Sequence, residues 1–245
     1  MKTSQKIPFI TNWIKNYIEE MPIKAKSLII GISGGIDSSV SSTLSAMTGL
    51  KTIVLLMPIK QKSTQYELSL KHQEWLIKNF KNVEAHTINL DKLFETFENS
   101  LSKFDNERGM ANSRARLRMT TLYQVASANK GIVVGTGNKI EDFGVGFYTK
   151  YGDGGVDISP IADCNKTEVW EIGRELNILK EIIDAHPTDG LWDDGRTDES
   201  QLGLKYSELE EAMNDPNSPN REKYEKIRKL NLHKMEPIPV CKIPK

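Results

Sequence analysis

A run of glycines, hydroxyls and one carboxylate occupies residues 33–39, where the sequence is SGGIDSS. Gly34 and Gly35 permit backbone angles that other residues avoid, and they let a bulky anion approach the main chain. If a helix begins directly after them, its first N–H groups point at that anion and the helix dipole stabilises it. These features predict a turn that binds phosphate.

Asp37 lies inside the same turn and adds a second kind of chemistry. A carboxylate beside a phosphate is repelled unless a cation lies between the two, so Asp37 predicts a bridging Mg²⁺. The segment lacks the lysine of the GxxxxGK[ST] loop and the glycine spacing of GxGxxG. A turn that merely caps a helix is the simpler alternative. We prefer the interpretation as a phosphate-binding turn, because an apolar strand, the turn and a helix follow each other in register.

The elements around this turn predict a parallel sheet. Apolar segments typical of strands occur at 27–32, 52–58, 83–89 and 131–137. Helical segments occur at 8–21, 37–49, 64–80, 91–101 and 112–129. Strands that alternate with helices of ten or more residues indicate an α/β fold, a doubly wound, mostly parallel, Rossmann-like sheet with helices on both faces. Ligands of such sheets bind beyond the carboxyl ends of the strands, which is where the turn lies.

Two later helices show capping-box spacing, Asn165 with Glu168 and Ser207 with Glu210. Between them, residues 186–203 are rich in Gly, Asp and Thr and have little periodicity. A segment of this kind predicts a surface loop, long enough to act as a lid that orders over bound nucleotide. No internal repeat or low-complexity tract is present, and we expect residues 1–245 to form a single domain.

Composition restricts the classes of partner. The chain has 33 basic and 33 acidic residues and a formal net charge of zero, which predicts no bulk attraction to nucleic acid or to anionic membrane. Cys164 and Cys241 form no CxxC pair, as expected of free thiols in a reducing cytoplasm. No apolar segment approaches the roughly 20 residues that span a bilayer. We therefore expect a cytoplasmic protein without nucleic-acid or membrane partners.

The motif SGGIDSS resembles the SGGxDS motif of the PP-loop ATP pyrophosphatases, enzymes that split ATP between its α- and β-phosphates. Residues 135–163, GTGNKIEDFGVGFYTKYGDGGVDISPIAD, resemble the GT…E…G…TKYGDG…D…P pattern of the ammonia-dependent NAD synthetases within that group. The segments NSRARLRM, PTDGLW…TDESQLG and LHK match in order and spacing. The resemblance extends from about residue 9 to about residue 235 and implies the adenine nucleotide alpha hydrolase fold.

The resemblance implies ATP-dependent amidation of deamido-NAD, nicotinic acid adenine dinucleotide, by ammonia. AMP is transferred onto the ring carboxylate, and ammonia then attacks the acyl adenylate to give NAD, AMP and pyrophosphate. ATP is implied as co-substrate, Mg²⁺ as cofactor and a homodimer as the assembly. Such chemistry requires no covalent nucleophile, only orientation of two nucleotides and stabilisation of charge on the transferring phosphates.

The resemblance also assigns roles to residues. The residues implied to bind ATP are Gly31, Ile32, Ser33, Gly34, Gly35, Ile36, Asp37, Ser38, Thr136, Lys166 and Thr188. Those implied to bind deamido-NAD are Arg116, Lys150, Asp157, His233 and Lys234. Asp37 and Lys166 are implied to be catalytic, and Asp37 and Glu141 to be the Mg²⁺ ligands. Arg114, Arg116 and Arg118 are spaced by two on a helix, so only one or two of them can point into one site.

Asp142 is an alternative to Glu141 as the second Mg²⁺ ligand. Between Glu141 and Lys150 this chain is one residue longer than a common form of the motif. Counting back from Lys150 selects Asp142, whereas counting forward from Thr136 selects Glu141. We prefer Glu141, because a fixed strand end sets the site and the glycine-containing segment after it can absorb an insertion.

Other functions compete with this one. A tRNA-modifying PP-loop ligase, or another adenylating amidotransferase, would be expected to show a basic excess, appended domains or cysteine pairs. A glutamine-dependent NAD synthetase needs a large amidase domain, for which we see no room, so ammonia is the expected nitrogen donor. A nucleotide-binding protein without catalysis would need neither Asp37 nor Glu141 for a metal.

Overall fold

A computed structural model describes residues 1–61, 63–188 and 197–244. Within these ranges four parallel strands form one sheet in the order β3-β2-β1-β4. The strands are β1 (Ser27–Gly31), β2 (Thr52–Leu56), β3 (Val83–Thr87) and β4 (Gly131–Val133). An isolated parallel bridge joins Val134 to Ile158 just beyond β4. The predicted parallel α/β sheet is confirmed.

The helices of the described ranges alternate with these strands and continue beyond them. They are α1 (Thr3–Glu20), α2 (Ile36–Met47), α3 (Ser63–Asn79), α4 (Asp91–Ser100), α5 (Glu107–Ala128), α6 (Lys166–Glu175), α7 (Lys180–Ile183), α8 (Asp198–Leu202), α9 (Tyr206–Asn214) and α10 (Arg221–Met235). A short 3-10 turn (Ser102–Phe104) follows α4, and a π-helix (Lys139–Val145) follows β4. Each of these helices is too short or too polar to span a bilayer.

The sheet is buried on both faces because successive side chains of a strand point to opposite sides. Leu28 and Ile30 of β1 belong to the cluster formed with α1, α2 and α6. Ile29, between them, belongs to the cluster formed with Phe94 of α4 and Ala126 of α5. The strands are therefore almost continuously apolar, and polar side chains concentrate where the strands end.

A third apolar cluster supports the π-helix. Ile140 and Val145 of the π-helix pack with Tyr206 and Leu209 of α9 and with Tyr224 of α10. Because the π-helix is anchored through these buried side chains, the polar residues between them are held at fixed orientations.

Helix α5 begins at Glu107, five residues before the predicted start at 112. The side chain of Asn106 caps it by accepting a hydrogen bond of 2.8 Å from the N–H of Gly109. Asparagine is among the best N-cap residues, so this local signal explains the earlier start.

The capping box predicted at Asn165 is confirmed: Glu168 accepts a hydrogen bond of 2.9 Å from the N–H of Asn165. The helix end at Gly49 is also confirmed, because α2 ends at Met47 and Gly49 has a φ of +77°. Glycine adopts this left-handed backbone without steric cost, which suits the position after a helix.

The capping box predicted for Ser207 and Glu210 is wrong. Helix α9 begins one residue before Ser207, and Glu208 accepts a hydrogen bond of 2.7 Å from the N–H of Lys205. Glu210 instead accepts hydrogen bonds from the N–H and the hydroxyl of Thr167, at 2.9 and 2.6 Å. A tertiary contact thus uses the carboxylate that a local pattern had assigned to the helix start.

The predicted loop at 186–203 contains the short helix α8. Residues 189–196, the central part of the expected lid, lie outside the described residues. The ordering of this segment over nucleotide therefore stays a prediction.

Candidate active site

The predicted phosphate-binding turn lies between β1 and α2, at the carboxyl edge of the sheet. Strand β1 ends at Gly31, and α2 begins at Ile36. Gly34 has a φ of +84°, and a Cβ built on it would lie 2.7 Å from the carbonyl oxygen of Gln65. Any other residue would meet both backbone strain and a steric clash, so this position requires glycine.

Serine hydroxyls hold the turn in shape. The Oγ of Ser38 accepts a hydrogen bond of 3.2 Å from the N–H of Ser33 and donates one of 3.0 Å to the carbonyl of Gly35. The Oγ of Ser33 accepts one of 3.2 Å from the N–H of Gly35. The turn is thus ordered by its own side chains, while the first N–H groups of α2 lack acceptors within the helix and are available to an anion.

Lys166 connects the two residues expected to bind metal. Its Nζ lies 2.5 Å from Oδ2 of Asp37 and 2.9 Å from Oε1 of Glu141. The Nδ2 of Asn138 donates a hydrogen bond of 3.1 Å to the other oxygen of Asp37. Lys166 is only 2% exposed. Two carboxylates therefore converge on one buried cation beside the glycine turn.

The π-helix directs Glu141, and not Asp142, toward Asp37. A π-helical turn holds one residue more than an α-helical turn, so an inserted residue widens the helix without moving its start. Glu141 reaches Lys166, whereas the carboxylate of Asp142 lies over Gly137, where a Cβ would come within 2.0 Å of its Oδ2.

Tyr206 supports Glu141 from the other side. Its hydroxyl lies 2.5 Å from Oε1 of Glu141 and 3.2 Å from Oδ2 of Asp198. Its ring lies 4.8 Å from the Nζ of Lys166 and packs edge-on against Trp170. Sequence reasoning missed this residue, since a tyrosine on the apolar face of a helix has the pattern of an ordinary core residue.

Burial and the neighbouring charges shift the pKa of Asp37, Glu141 and Lys166. Burial, together with repulsion from Glu141, raises the pKa of Asp37 although Lys166 opposes the shift. For Glu141 burial also acts upward, but Lys166 and the hydrogen bond from Tyr206 outweigh it and lower the pKa. Burial acts to lower the pKa of Lys166, yet the two carboxylates raise it overall, so the lysine is a permanent cation.

One cavity of about 280 Å³ adjoins this cluster. Every residue predicted to bind ATP lines it, from Gly31 through Ser38 and at Thr136, Lys166 and Thr188, and so does Glu141. Apolar side chains form another part of its wall: Met57, Ala115, Met119 and Leu122. A largely apolar cavity with a few convergent polar groups is typical of a nucleotide-sized ligand site.

The residues predicted to bind deamido-NAD do not line this cavity. Four of them form a cationic patch, defined here as Arg116, Lys150, His233 and Lys234. Arg116 donates to the carbonyl of Lys150 at 3.3 Å, and the Nζ of Lys150 donates to the carbonyl of His233 at 2.7 Å. Lys234 donates to two carbonyls of the segment 146–148 at 2.8 Å. The patch joins α5 to the end of α10.

Asp157 is separate from the patch. Its carboxylate accepts a hydrogen bond of 2.7 Å from the N–H of Val133 and one of 3.1 Å from the hydroxyl of Tyr123. These contacts tie the segment after the cavity to β4 and α5, which is the turn-stabilising role that an aspartate often has.

Arg118 lines the cavity, whereas Arg116 lies in the patch. Arg114 is buried, with its guanidinium 5.1 Å from the ring centre of Phe94. The prediction that the three arginines cannot share one site is confirmed. The spacing offered no signal for which of them enters the cavity, because that depends on the rotation of α5 against the sheet.

The donor set fits a magnesium ion. Among the described residues no group of three or more His, Cys, Asp or Glu side chains is arranged to hold a metal. Asp37 and Glu141 nevertheless share one cation, Lys166, at the edge of the phosphate turn. Mg²⁺ is commonly bound by one or two carboxylates, with phosphate and water oxygens completing its shell, and this pair of carboxylates suits that arrangement.

The chain is similar to known proteins in sequence and in fold. The family model described as NAD synthase matches residues 6–243. The NH(3)-dependent NAD(+) synthetase of Alkaliphilus metalliredigens is 34% identical, over 98% of this chain and 99% of its own. The structure of NMN synthetase from Francisella tularensis superposes with a TM-score of 0.91 and 31% identity, covering 99% of this chain and 100% of that one.

A third protein shares the fold at lower sequence identity. The NH3-dependent NAD synthetase from Campylobacter jejuni has a TM-score of 0.79 and 21% identity, covering 99% of this chain and 100% of that one. This likeness concerns the fold, the adenine nucleotide alpha hydrolase fold. The family match over nearly the whole sequence, the curated relative above 30% identity and the cavity built on the glycine turn lead to one conclusion: the chain belongs to the NAD synthase family.

Proposed function

We propose that this chain is a ligase that amidates deamido-NAD with ammonia at the expense of ATP, giving NAD, AMP and pyrophosphate. The observation that carries the proposal is the convergence of Asp37, Glu141 and Lys166 beside the glycine turn in one cavity. The matching family and the curated NH(3)-dependent NAD(+) synthetases support it. The chain thus acts in NAD biosynthesis.

The glycine turn would bind the part of ATP that leaves. In the first step a carboxylate oxygen of deamido-NAD attacks the α-phosphorus, the bond to the β-phosphate oxygen breaks, and pyrophosphate departs. The N–H groups at the start of α2 and the hydroxyl of Ser33 stabilise the departing charge. Lys166 adds a positive charge that is already oriented, and Thr136 and Thr188 complete the ATP-binding wall.

Asp37 and Glu141 would hold Mg²⁺. When bound, the ion neutralises phosphate charge and so favours attack by an anionic carboxylate. Lys166, which contacts both carboxylates, orients them toward each other.

In the second step no side chain of the protein has to act as a nucleophile. Ammonia attacks the carbonyl carbon of the acyl adenylate, the bond from that carbon to the phosphate oxygen breaks, AMP leaves, and one proton is lost from nitrogen. The cationic patch of Arg116, Lys150, His233 and Lys234 would bind the phosphates of deamido-NAD, with Asp157 as a further contact. The chain's task is to orient the acid and the nucleotide.

The assembly and location of the protein are part of this proposal. Residues 1–245 form one domain, supported by a family match that spans 6–243. The protein is a homodimer in the cytoplasm. Light scattering should then give twice the mass of one chain, and the mass of a single chain at working concentration would contradict the dimer.

The direct test combines purified protein with ATP, Mg²⁺, ammonium and deamido-NAD. NAD and AMP should form in equal amounts, whereas ADP would indicate cleavage at a different phosphate. Asp37→Asn should reduce turnover at least about 100-fold, since a charge-stabilising group at the reacting phosphates is lost. Asp163→Asn is the matched control, because the side chain of Asp163 is 97% exposed.

A second candidate is amidation of the mononucleotide, nicotinic acid mononucleotide, to NMN. It is favoured by one observation: the NMN synthetase from Francisella tularensis superposes more closely, at a TM-score of 0.91, than the Campylobacter jejuni NAD synthetase at 0.79. Both acids carry the same reacting carboxylate, so the cavity built on the glycine turn serves either reaction. The two acids differ in the adenylate half, which deamido-NAD has and the mononucleotide lacks, so only the binding of that half distinguishes them.

Parallel assays separate the two candidates. Each acid is supplied over the same concentration range with ATP, Mg²⁺ and ammonium, and kcat/KM is compared for formation of NAD and of NMN. The proposal for deamido-NAD expects the larger value with the dinucleotide. A value at least tenfold larger with the mononucleotide would replace it by the second candidate, while the family and the chemistry of the carboxylate would stand.

A further inference from the structure

Arg118 occupies an unexpected position. It lies on the face of α5 that also carries Ala115, Met119 and Leu122, and all four side chains line the ATP cavity. Residues three and four apart on a helix share a face, so this set follows from α-helical geometry. Among the residues assigned from the sequence, no arginine was expected in this wall.

The guanidinium of Arg118 is held by one hydrogen bond. Its Nε donates to the carbonyl of Met57, at the end of β2, at 3.0 Å. Among the residues that the structure describes, Arg118 forms no ion pair, and its two terminal nitrogens have no hydrogen-bond partner. The single bond to Met57 leaves the terminal N–H donors of Arg118 unused at the wall of the cavity.

Arg118 is half-buried and lines the wall of the cavity. Burial and repulsion from Arg114 lower the pKa of Arg118 to about 10, while Asp153 at the same cavity opposes the shift. The group therefore keeps its charge at neutral pH. A cation that lines a cavity and has unused N–H donors attracts an anion that enters the cavity. A planar fork of N–H groups matches the oxygens of a phosphate or a carboxylate.

We propose that Arg118 binds an oxyanion of a substrate inside the cavity, and so acts as a substrate-binding residue in addition to those of the glycine turn and the cationic patch. The inference rests on the proposed function for the identity of the substrates. Two oxyanions enter this cavity in that reaction, a phosphate of ATP and the carboxylate that is to be adenylated. Both have the chemistry that Arg118 recognises, and binding measurements distinguish them.

The test compares Arg118→Met with wild type by calorimetry, using ATP, adenosine, deamido-NAD and NAD as separate probes. If Arg118 binds a phosphate, ATP should bind about 10- to 100-fold more weakly while adenosine is unaffected. If it binds the reacting carboxylate, deamido-NAD should weaken by a similar factor. NAD, which carries a neutral amide in place of the carboxylate, should then be unaffected. Either pattern supports the proposal.

Arg118→Lys provides the conservative variant, since it keeps the charge and loses the fork, and it should recover part of the lost affinity. Arg174→Met, at an exposed position of α6, is the matched control and should bind every probe as wild type does. Thermal melting of each variant separates loss of binding from loss of fold.

Two outcomes would overturn the inference. One is unchanged affinity of folded Arg118→Met for all four probes. The other is an equal loss for adenosine and ATP, which would mean contact with the base and not with an oxyanion. If wild type binds ATP as expected but makes no NAD or NMN, the proposed function fails while the phosphate arm of this test still applies.

Discussion

The Nζ of Lys166 lies 2.5 Å from Oδ2 of Asp37, although the two residues are far apart in the sequence and Lys166 is almost fully buried. Glu141 shares the same ammonium group at 2.9 Å. Lys166 is therefore the counter-ion that permits two carboxylates to lie beside the glycine turn. Nucleotide and metal must enter a site whose charge is already partly balanced.

Replacing Lys166 by methionine should destabilise the fold strongly. The substitution keeps the side-chain length but leaves Asp37 and Glu141 buried without a cation, which costs about 3–5 kcal/mol of unfolding free energy. Urea denaturation at neutral pH measures the loss. Lys51→Met is the control, because Lys51 pairs with Glu84 at 2.8 Å where both side chains are nearly half exposed. An exposed pair contributes at most about 1 kcal/mol. Equal losses for the two variants would contradict the counter-ion role.

Glu141 and Asp142 should behave in opposite ways. Glu141→Gln removes one of the two carboxylates that share Lys166, and Mn²⁺ binding in the presence of ATP, followed by electron paramagnetic resonance, should weaken at least about tenfold. Asp142→Asn should leave Mn²⁺ binding near the wild-type value. If Asp142→Asn weakened Mn²⁺ binding and Glu141→Gln did not, Asp142 would be the second metal ligand in place of Glu141.

Asp142→Asn should also change the pH dependence of stability. Burial, with repulsion from Glu141 and Asp153, raises the pKa of Asp142 well above its ordinary value. An acid whose folded pKa is raised favours the fold at low pH, and this stability is lost as the pH rises above the unfolded value. The variant should therefore melt at a higher temperature than wild type at pH 8, with a smaller difference at pH 4. A lower melting temperature at pH 8 would contradict this.

Tyr206→Phe should impair catalysis more than folding. The variant loses the hydrogen bonds to Glu141 at 2.5 Å and to Asp198 at 3.2 Å, and it keeps the ring that packs against Trp170. Loss of one hydrogen bond to a charged group is expected to cost about 1.5–3 kcal/mol, here in the orientation of Glu141. We expect kcat to fall about tenfold or more with little change in the KM for ammonia. Tyr17→Phe, on the exposed face of α1, should leave both unchanged.

His72 should make the fold sensitive to acid. It is fully buried, with Nε2 2.9 Å from the hydroxyl of Ser42, and burial lowers its pKa to about 4. A histidine whose folded pKa is lowered stabilises the fold above its unfolded pKa of about 6.5. This stability is lost as the pH falls toward 4, and amounts to about 3 kcal/mol in full. Denaturation curves between pH 7 and 4 measure the loss.

His72→Phe should show a smaller loss of stability over the same pH range, because it has no group to protonate there. His86→Gln, which alters an exposed histidine, should follow the wild-type curve. An unchanged slope for His72→Phe would place the acid sensitivity elsewhere.

Much of the fold could be predicted because its signals act over short distances. The apolar run at 27–32, the glycines of the turn and the left-handed Gly49 each act within a few residues, and they marked β1, the phosphate turn and the end of α2. The position of Asp37 in that turn was equally local. Since the carboxyl ends of parallel strands meet at one edge, Thr136 could also be expected near the turn.

Only the tertiary structure decided which distant side chains meet. The sequence left Glu141 and Asp142 as alternatives, and the packing of the π-helix against α9 and α10 directs Glu141 toward Lys166. It left three arginines on one helix, and the rotation of α5 against the sheet brings Arg118 into the cavity. Such choices depend on how buried faces fit together, a property summed over many contacts, which no spacing within a single segment encodes.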